Sequence, residues 1–153
     1  MTTTVYSIFK DTVSNMGSRV AATYKKDGQW HEVTWSEMNA QVNQIAAALA
    51  ALQIEKEERV SIISNTRYEW VAADMGILGA CCTTVPIYQS SIPGDIEYIL
   101  NDAGVVCVFA EDSIQLEKLR GLRKEIPNVK KVICFNDADV DTSSDWEISW
   151  SQF

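Results

Sequence analysis

The feature that most constrains the fold is the stretch of residues 60–88, which reads VSIISNTRYEWVAADMGILGACCTTVPIY. It contains two short apolar runs, at residues 60–64 and 83–87, separated by a segment with helical spacing. Two strands joined by one helix form a βαβ unit, and strands covered on both faces read as nearly continuous apolar runs. The sequence therefore predicts a parallel sheet built outward from this unit. The predicted apolar side of its helix consists of Trp70, Val71, Met75 and Leu78.

Strand and helix continue to alternate after this unit. Ser91 predicts the N-terminal cap of a helix, and residues 105–110 form an apolar strand. Asp112 predicts the start of another helix, which Pro127 ends, and a further strand follows at residues 131–135. This pattern predicts an α/β fold with a mostly parallel sheet, flanking helices and right-handed crossovers.

The N-terminal region adds a helix and a short β-hairpin to this sheet. Two strand candidates, at residues 20–25 and 30–35, surround Asp27 and Gly28, and Asp-Gly between two strands favours a hairpin. The preceding helix is predicted from an apolar stripe, which consists of Val5, Ile8, Phe9, Val13 and Met16.

Two capping boxes are predicted from Thr and Glu residues that lie three positions apart. Thr34 and Glu37 precede an Ala-rich helix at residues 36–52, where each side chain can satisfy an unpaired backbone amide. Thr66 and Glu69 repeat the pattern at the helix of the βαβ unit.

Charge and hydropathy exclude several classes of protein. The formal net charge of −8 argues against nucleic acid as a main partner, because clustered Lys and Arg drive phosphate binding. The N-terminal residues lack the basic and apolar segments of a secretory signal, and no apolar stretch reaches the roughly 20 residues of a spanning helix. We expect a cytoplasmic protein without a transmembrane segment, and peripheral attachment to a membrane is left open.

The cysteines are predicted to be buried, reduced thiols that act as small apolar side chains. No pair has CxxC spacing, and the single His31 is distant from them in sequence, so no metal or redox site is predicted. The four residues are Cys81, Cys82, Cys107 and Cys134.

The last part of the chain differs in character from the rest. Residues 136–145 are acidic and lack apolar periodicity, which indicates a loop. Residues 146–153 contain two Trp, an Ile and a Phe, and we interpret them as the start of a truncated helical segment. We therefore divide the chain into an α/β subdomain at residues 1–135 and a tail at residues 136–153, and expect both to be part of a longer protein.

Candidate ligand-binding residues follow from the predicted sheet. Ligands of open parallel sheets gather at the carboxyl ends of the strands, which here are residues 64–67, 88–91, 111–113 and 136–137. Helix capping and solvated turns are the competing interpretation of the polar residues there. The candidate cleft-facing residues are Asn65, Arg67, Tyr88, Gln89 and Ser90.

No catalytic motif is present in these 153 residues. There is no Walker-type loop, no GxSxG turn, no HExxH pair and no CxxC pair. Asp137, Asp139 and Asp141 are predicted to be solvated residues of the acidic loop. We accordingly assign no catalytic, cofactor-binding or metal-ligating residue from motifs.

Three segments resemble signatures of the adenylate-forming (AMP-binding) enzymes. Residues 33–38 (VTWSEM) resemble the family's opening element, and residues 78–88 (LGACCTTVPIY) resemble its second. Residues 60–70 are similar to its strand, Asn-bearing turn and Glu-Trp helix start, and the order of the three segments matches. Within the family, the sequence of residues 84–102 looks most like the corresponding segment of long-chain fatty-acid–CoA ligases. The family usually has Gly where this chain has Cys81, and we expect a change of packing there.

The resemblance implies a function for a longer parent protein, of which this chain would be the N-terminal part. A fatty carboxylate would attack the α-phosphate of ATP, and the thiol of coenzyme A would then displace AMP. The family's phosphate-binding loop, ribose-binding Asp and C-terminal Lys have no counterpart in these residues. The implied cofactors of the parent are ATP, Mg²⁺ and coenzyme A, and its implied partners are a fatty acid and the C-terminal remainder. We expect no cofactor in, and no activity from, this chain alone.

Three other functions are compatible with the sequence. The first is a ligase of the same superfamily that acts on another acid or transfers it to a carrier protein. The second is an α/β binding module without catalysis. The third, a flavodoxin-like or receiver domain, follows from the alternation alone, but a receiver needs an early acidic cluster that we do not find.

Overall fold

The computed structural model describes residues 3–26 and 28–153. The helices are α1 (Val5–Met16), α2 (Trp35–Ala51), α3 (Tyr68–Gly79), α4 (Pro93–Asp102) and α5 (Ser113–Gly121). The strands are β1 (Val20–Lys26), β2 (Gln29–Thr34), β3 (Arg59–Ile63), β4 (Thr83–Ile87), β5 (Val105–Ala110), β6 (Lys131–Cys134) and β7 (Glu147–Ser149). A 3₁₀ turn spans Asp137–Asp139.

The main sheet is parallel throughout and has the strand order β4-β3-β5-β6-β7. Strands β1 and β2 form a separate antiparallel hairpin. The predicted α/β class, the parallel sheet and the hairpin are therefore confirmed. Asp27, half of the predicted hairpin signal, lies outside the described residues, and Gly28 has a φ of +80°.

Helices cover both faces of the main sheet. On one face, α4 and α5 bury side chains such as Ile96 and Leu116 against β3, β4, β5 and β6. On the other face, α3 packs on the sheet and α2 packs on α3, with Ile45, Leu49 and Ile77 in one core. This two-sided burial explains why the strands read as continuous apolar runs.

Only some of the predicted helix starts have the predicted cap. Thr34 and Glu37 form the expected capping box, and Asp112 caps α5 by accepting a hydrogen bond from the backbone N–H of Gln115. The second capping box is wrong, because the N-cap residue of α3 is Arg67, one residue after Thr66, and Glu69 pairs with Arg67 instead. The cap predicted at Ser91 is also wrong, because Ile92 occupies the N-cap position of α4 and makes no side-chain capping bond.

The apolar side predicted for α3 is also wrong. The residues buried in α3 are Ala72, Ala73, Gly76 and Ile77. Val71 is exposed, and Trp70, Met75 and Leu78 are half-buried. The helix lies between the sheet and α2, so it is covered on two sides, and its smallest residues occupy the closest approach. A Cβ at Gly76 would overlap the side chain of Ile45 on α2.

Two further helices differ from their predicted extent or burial. In α1 only Phe9 is fully buried, and Val5, Ile8 and Met16 are exposed, because the inner face carries Tyr6, Phe9 and Val13. Helix α5 ends at Gly121, before Pro127, although Ile126 is still buried.

The tail contains the strand β7 where a helical segment was predicted. Residues of β7 pair in parallel with β6, so Ile148 lies opposite Ile133. Trp146 donates from Nε1 to the carbonyl of Val129 at 2.9 Å, and Trp150 packs edge-on against Phe135. The aromatic residues of the tail therefore complete the sheet and its core, which explains their density.

Cys81 is the exception among the cysteines. Cys82, Cys107 and Cys134 are buried as predicted, whereas Cys81 is exposed in the turn after α3 and has a φ of 60°. A positive φ disfavours any residue with a Cβ and suits Gly. The predicted burial of Cys81 is therefore wrong, and the residue lies in a backbone conformation that favours the Gly expected from the resemblance.

Among residues 3–26 and 28–153, no helix is both long enough and apolar enough to cross a bilayer.

We predict that Gly76→Ala lowers the free energy of unfolding by about 2 kcal/mol, because the new methyl overlaps Ile45 in the α2–α3 contact. The matched control is Gly121→Ala, since a Cβ at Gly121 meets no atom within 4 Å. That control should leave stability unchanged or raise it slightly. Urea unfolding followed by circular dichroism measures both, and equal stability of the two variants would contradict the packing argument.

We predict that Cys81→Gly raises the free energy of unfolding by about 1 kcal/mol, because it relieves the left-handed strain at this position. Cys81→Ala removes the thiol and keeps the Cβ, so it should give no such gain. Thermal unfolding of the two variants under reducing conditions compares them directly. A gain of equal size in Cys81→Ala would assign the effect to the thiol instead.

Candidate functional site

The strand order places a reversal at the centre of the main sheet. The chain runs from β3 outward to β4, and then crosses back over β3 to reach β5. Helices α3 and α4 consequently lie on opposite faces. In open parallel sheets, the crevice at such a reversal, outside the carboxyl ends of the strands, is the usual ligand site. Here the reversal lies between the ends of β3 and β5.

Asn65 and Glu111 bridge this reversal. The backbone N–H of Asn65 donates to Oε2 of Glu111 at 2.8 Å, and its side-chain amide donates to the same oxygen at 3.1 Å. The Glu111 carboxylate thus joins the loop after β3 to the end of β5. Asn65, a predicted candidate, is held in place by a residue that lay among the predicted strand ends but was not itself a candidate.

A groove of about 510 Å³ opens between the ends of β3 and β4, and we call it the β3–β4 groove. It brings together three of the predicted candidates, Asn65, Tyr88 and Gln89. Tyr88 is 81% exposed at its rim. The other lining residues are Ser64, Thr66, Trp70, Pro86 and Ile87, so none of the described residues that line the groove is charged.

Lys118 of α5 fixes the loop that forms one wall of this groove. Its ammonium group donates to the backbone carbonyls of Gln89 at 2.7 Å and Ser91 at 3.0 Å. The buried side chain of Gln115 donates to the same Gln89 carbonyl at 3.2 Å. Nothing in the sequence marked Lys118, because it is one of several charged residues in a helix. Ser90 lies in this loop but does not line the groove.

Arg67 lies in a neighbouring depression of about 360 Å³, which we call the hairpin depression because Tyr24, Lys25 and Lys26 of β1 line it. Its guanidinium donates to Glu69 through Nε at 2.7 Å and Nη2 at 3.0 Å. These bonds to Glu69 raise the pKa of Arg67. The charge of Arg67 is therefore matched within the chain.

A stack of aromatic rings forms part of the lining of the hairpin depression. The ring of Tyr68 stacks on Tyr24 at a centroid distance of 5.0 Å, and Tyr24 stacks on His31 at 5.5 Å. Tyr68 also donates its hydroxyl to Oε1 of Gln41 at 2.6 Å. Burial, followed by the neighbouring Tyr24, raises the pKa of Tyr68 to about 12. His31 is thus an exposed strand residue that joins an aromatic stack.

The acidic loop uses its carboxylates to accept backbone amides. Asp137 accepts from the N–H of Ser151, and Asp139 accepts from the N–H of Ser113. Asp141 accepts from Ser143. In the described part of the chain, no group of three or more His, Cys, Asp or Glu side chains is placed to hold a metal ion.

An ion pair between a buried carboxylate and a half-buried guanidinium fastens the tail to α5. The side chain of Glu147 is 3% exposed and accepts from Nε and Nη2 of Arg120 at 2.8 and 2.7 Å. The backbone N–H of Asp141 donates to the same carboxylate at 3.0 Å. The hydrogen bonds from Arg120 lower the pKa of Glu147. This pair therefore holds β7 at the edge of the sheet.

The comparison with known families assigns the chain. A family model described as AMP-binding enzyme matches residues 9–152. The chain belongs to the AMP-binding enzyme family. The resemblance predicted from residues 33–38, 60–70 and 78–88 is therefore confirmed.

Curated relatives of this AMP-binding chain include long-chain-fatty-acid–CoA ligases and a surfactin synthase subunit. It is 35% identical over 107 residues to the long-chain-fatty-acid–CoA ligase FadD15 of Mycobacterium bovis, which is 70% of this chain and 18% of that protein. It is 34% identical over 114 residues to surfactin synthase subunit 2 of Bacillus subtilis, which is 74% of this chain and 3% of that protein. The chain spans less than a fifth of either relative.

Solved structures with the same fold include a CoA synthetase and a CoA ligase. The acetoacetyl-CoA synthetase of Streptomyces lividans matches with a TM-score of 0.82 and 18% identity over 95% of this chain and 24% of that one. The anthranilate CoA ligase AuaEII, in complex with anthranoyl-AMP, matches with a TM-score of 0.77 and 22% identity over 85% of this chain and 24% of that one. At these identities the likeness concerns the fold. The roles of Asn65, Arg67, Tyr88, Gln89 and Ser90 stay predictions.

We predict that Glu147→Gln lowers the free energy of unfolding by about 2 kcal/mol at pH 7, because it leaves the buried Arg120 contacts without a full negative charge. Since the pKa of Glu147 is lowered by folding, its contribution is fully present above about pH 4.3 and is lost as the pH falls below that value. Below about pH 5, the free energy of unfolding of the variant should therefore change less with pH than that of the wild type.

The matched control for this ion pair is Glu117→Gln, which removes an exposed carboxylate from the same Arg120. Exposed pairs contribute at most about 1 kcal/mol, so this control should cost much less. Chemical unfolding between pH 3 and pH 7 measures both variants. If the free energy of unfolding of Glu147→Gln ran parallel to that of the wild type over this pH range, the stabilising role of the Glu147 carboxylate would be contradicted.

We predict that one tyrosine ionises at about pH 12, and that Tyr68→Phe removes this late phase from the absorbance titration at 295 nm. Because folding favours the neutral phenol of Tyr68, stability should decline between about pH 10 and pH 12. Tyr88→Phe, which alters an exposed ring, should retain the late phase. A titration of the wild type that is complete by pH 11 would refute this prediction.

Proposed function

We propose that this chain is the N-terminal part of an ATP-dependent, AMP-forming fatty-acid–CoA ligase, with residues 1–135 as an α/β subdomain of its large domain. The observation that carries the proposal is the 35% identity over 107 residues to a long-chain-fatty-acid–CoA ligase. A parallel sheet with the fold of adenylate-forming enzymes supports it independently of that identity.

The proposed reaction activates a fatty acid in two steps. A carboxylate oxygen attacks the α-phosphate of ATP, which forms an acyl-adenylate and releases pyrophosphate. The thiol of coenzyme A then attacks the acyl carbon, a thioester forms and AMP leaves. Mg²⁺ would neutralise phosphate charge in the first step. The cytoplasmic location stays a prediction.

The β3–β4 groove is the part of this chain best suited to the uncharged portion of such a substrate. Trp70, Pro86 and Ile87 provide apolar surface, and Asn65 and Gln89 provide neutral hydrogen-bonding groups. We therefore propose that it contributes one wall of the acyl site. The fatty-acid ligase relative extends well beyond the 18% matched here, and we assign the groups that bind the phosphates to that remainder.

The test is an activity assay of the protein encoded by the complete reading frame. Purified protein is incubated with ATP, Mg²⁺, coenzyme A and acids of different lengths, and acyl-CoA and pyrophosphate are measured. We expect acyl-CoA from long-chain acids such as palmitate, and none from the 153-residue chain alone. Acyl-CoA formation by the 153-residue chain above a no-protein control would contradict the proposal that the phosphate-binding groups lie in the remainder of the protein.

A second candidate is a ligase that acts on another acid or on a carrier protein. The 34% identity to surfactin synthase subunit 2 is the observation that favours it. Omitting coenzyme A and adding hydroxylamine traps any acyl-adenylate, so an amino-acid and aryl-acid panel can be compared with fatty acids. Adenylation of an amino acid or aryl acid with no thioester formation from palmitate would favour this alternative. Absence of adenylation with every acid would favour the non-catalytic binding module.

A further inference from the structure

Both walls of the β3–β4 groove are held in place by the segment that contains β5 and α5. On one side, Glu111, the residue after β5, accepts hydrogen bonds from the backbone and side-chain amides of Asn65 at 2.8 and 3.1 Å. On the other side, Lys118 of α5 donates to the loop of residues 88–91, which follows β4. Neither charged residue lines the groove. The two charges therefore act on the backbone of the walls from outside the groove.

The ammonium group of Lys118 uses its hydrogen bonds on neutral acceptors. It donates to the carbonyls of Gln89 at 2.7 Å and Ser91 at 3.0 Å, and to Oε1 of Gln115 at 3.1 Å. An ammonium has three N–H donors, so none of them remains for a carboxylate. Hydrogen bonds from a charged donor are roughly twice as strong as those between neutral groups. The loop after β4 thus receives most of the hydrogen-bonding capacity of a half-buried charge.

Few other contacts fix the conformation of this loop. Tyr88 is exposed, and inside the loop the backbone N–H of Ser91 donates to the Tyr88 carbonyl at 3.0 Å. Among the described residues, the hydrogen bonds that join residues 89–91 to another element come from Lys118 and Gln115, both in α5. The position of this rim of the groove therefore depends on α5.

We propose that Lys118 is a positioning residue for the acid substrate. By holding the carbonyls of the loop after β4, it fixes Tyr88 and Gln89 where they line the β3–β4 groove. It thereby sets the affinity for the acid and the selection among acids by chain length. Lys118 acts through the loop, since it does not line the groove itself. This inference rests on the proposed function, because it needs the groove to be one wall of the acyl site.

Loss of the ammonium group should weaken binding of the acid and leave the chemical step unchanged. Without Lys118, the carbonyl of Ser91 loses its partner, and that of Gln89 keeps only Gln115. The loop then populates further conformations, and the affinity falls with the fraction of molecules in which the rim is correctly placed. An interaction that is equally strong in the ground state and the transition state changes KM and not kcat.

The test uses the protein of the complete reading frame with Lys118→Met, Lys118→Arg and the control Lys124→Met. Met retains a long side chain and a high helix propensity but has no donor, whereas Arg retains the charge and can donate to both carbonyls. Lys124→Met removes an exposed ammonium from the turn after α5. Steady-state assays give kcat and KM for octanoate, palmitate, ATP and coenzyme A. Hydrogen exchange is measured on the peptide that contains Ser91, and circular dichroism reports the fold.

We expect Lys118→Met to raise the KM for palmitate about tenfold, and to leave kcat and the KM for ATP within about twofold of the wild type. The preference for palmitate over octanoate should fall, and the Ser91 amide should exchange about tenfold faster. Lys118→Arg should recover most of the affinity, and Lys124→Met should match the wild type. Should Lys118→Met fail to fold, Lys118→Gln, which keeps a neutral donor, takes its place.

An unchanged KM for the acid would overturn the inference. Equal rises in the KM for the acid, ATP and coenzyme A would also overturn it, because they would show a general effect on the fold, and so would equal losses in Lys118→Arg and Lys118→Met. If the wild type adenylates only another class of acid, the proposed function is refuted. The inference is then decided by the KM for that acid, which must rise selectively in Lys118→Met. Absence of adenylation with every acid would overturn both.

Discussion

Burial of the parallel sheet on both faces is the constraint on which the rest of the structure depends. A parallel sheet cannot be closed by tight turns, so each strand is followed by a crossover that covers one face. The path from β3 to β4 and back to β5 requires α3 and α4 to cover opposite faces. Because the strands of the main sheet are parallel, their carboxyl ends lie at one edge, where the candidate residues lie.

The charged groups at that edge act mainly within the chain. Glu111 holds the loop of Asn65, and Glu69 pairs with Arg67. Lys118 binds the carbonyls of the loop after β4. What the edge offers to a ligand is consequently the uncharged lining of the β3–β4 groove. This arrangement suits a scaffold that shapes one part of a binding site, as the proposed function requires.

Local signals in the sequence predicted the fold where one physical effect decided the outcome. The Thr34–Glu37 capping box and the apolar strand at residues 105–110 are both present, since neither depends on distant contacts. Prediction failed where two partners competed. The spacing of Glu69 predicted a capping residue, but its carboxylate pairs with Arg67 instead. The residues buried in α3 are decided by the close approach of α2, which no local pattern shows.

The sequence by itself determined the α/β class, the parallel sheet, the hairpin and the resemblance to the AMP-binding family, because periodicity, capping and motif spacing are local. It also placed Asn65, Tyr88 and Gln89 at strand ends. Tertiary structure alone decided which of these share a groove, that the tail is a strand, and that Cys81 has a positive φ. Those features depend on strand order and on contacts between residues far apart in sequence, such as Arg120 with Glu147, which no local pattern encodes.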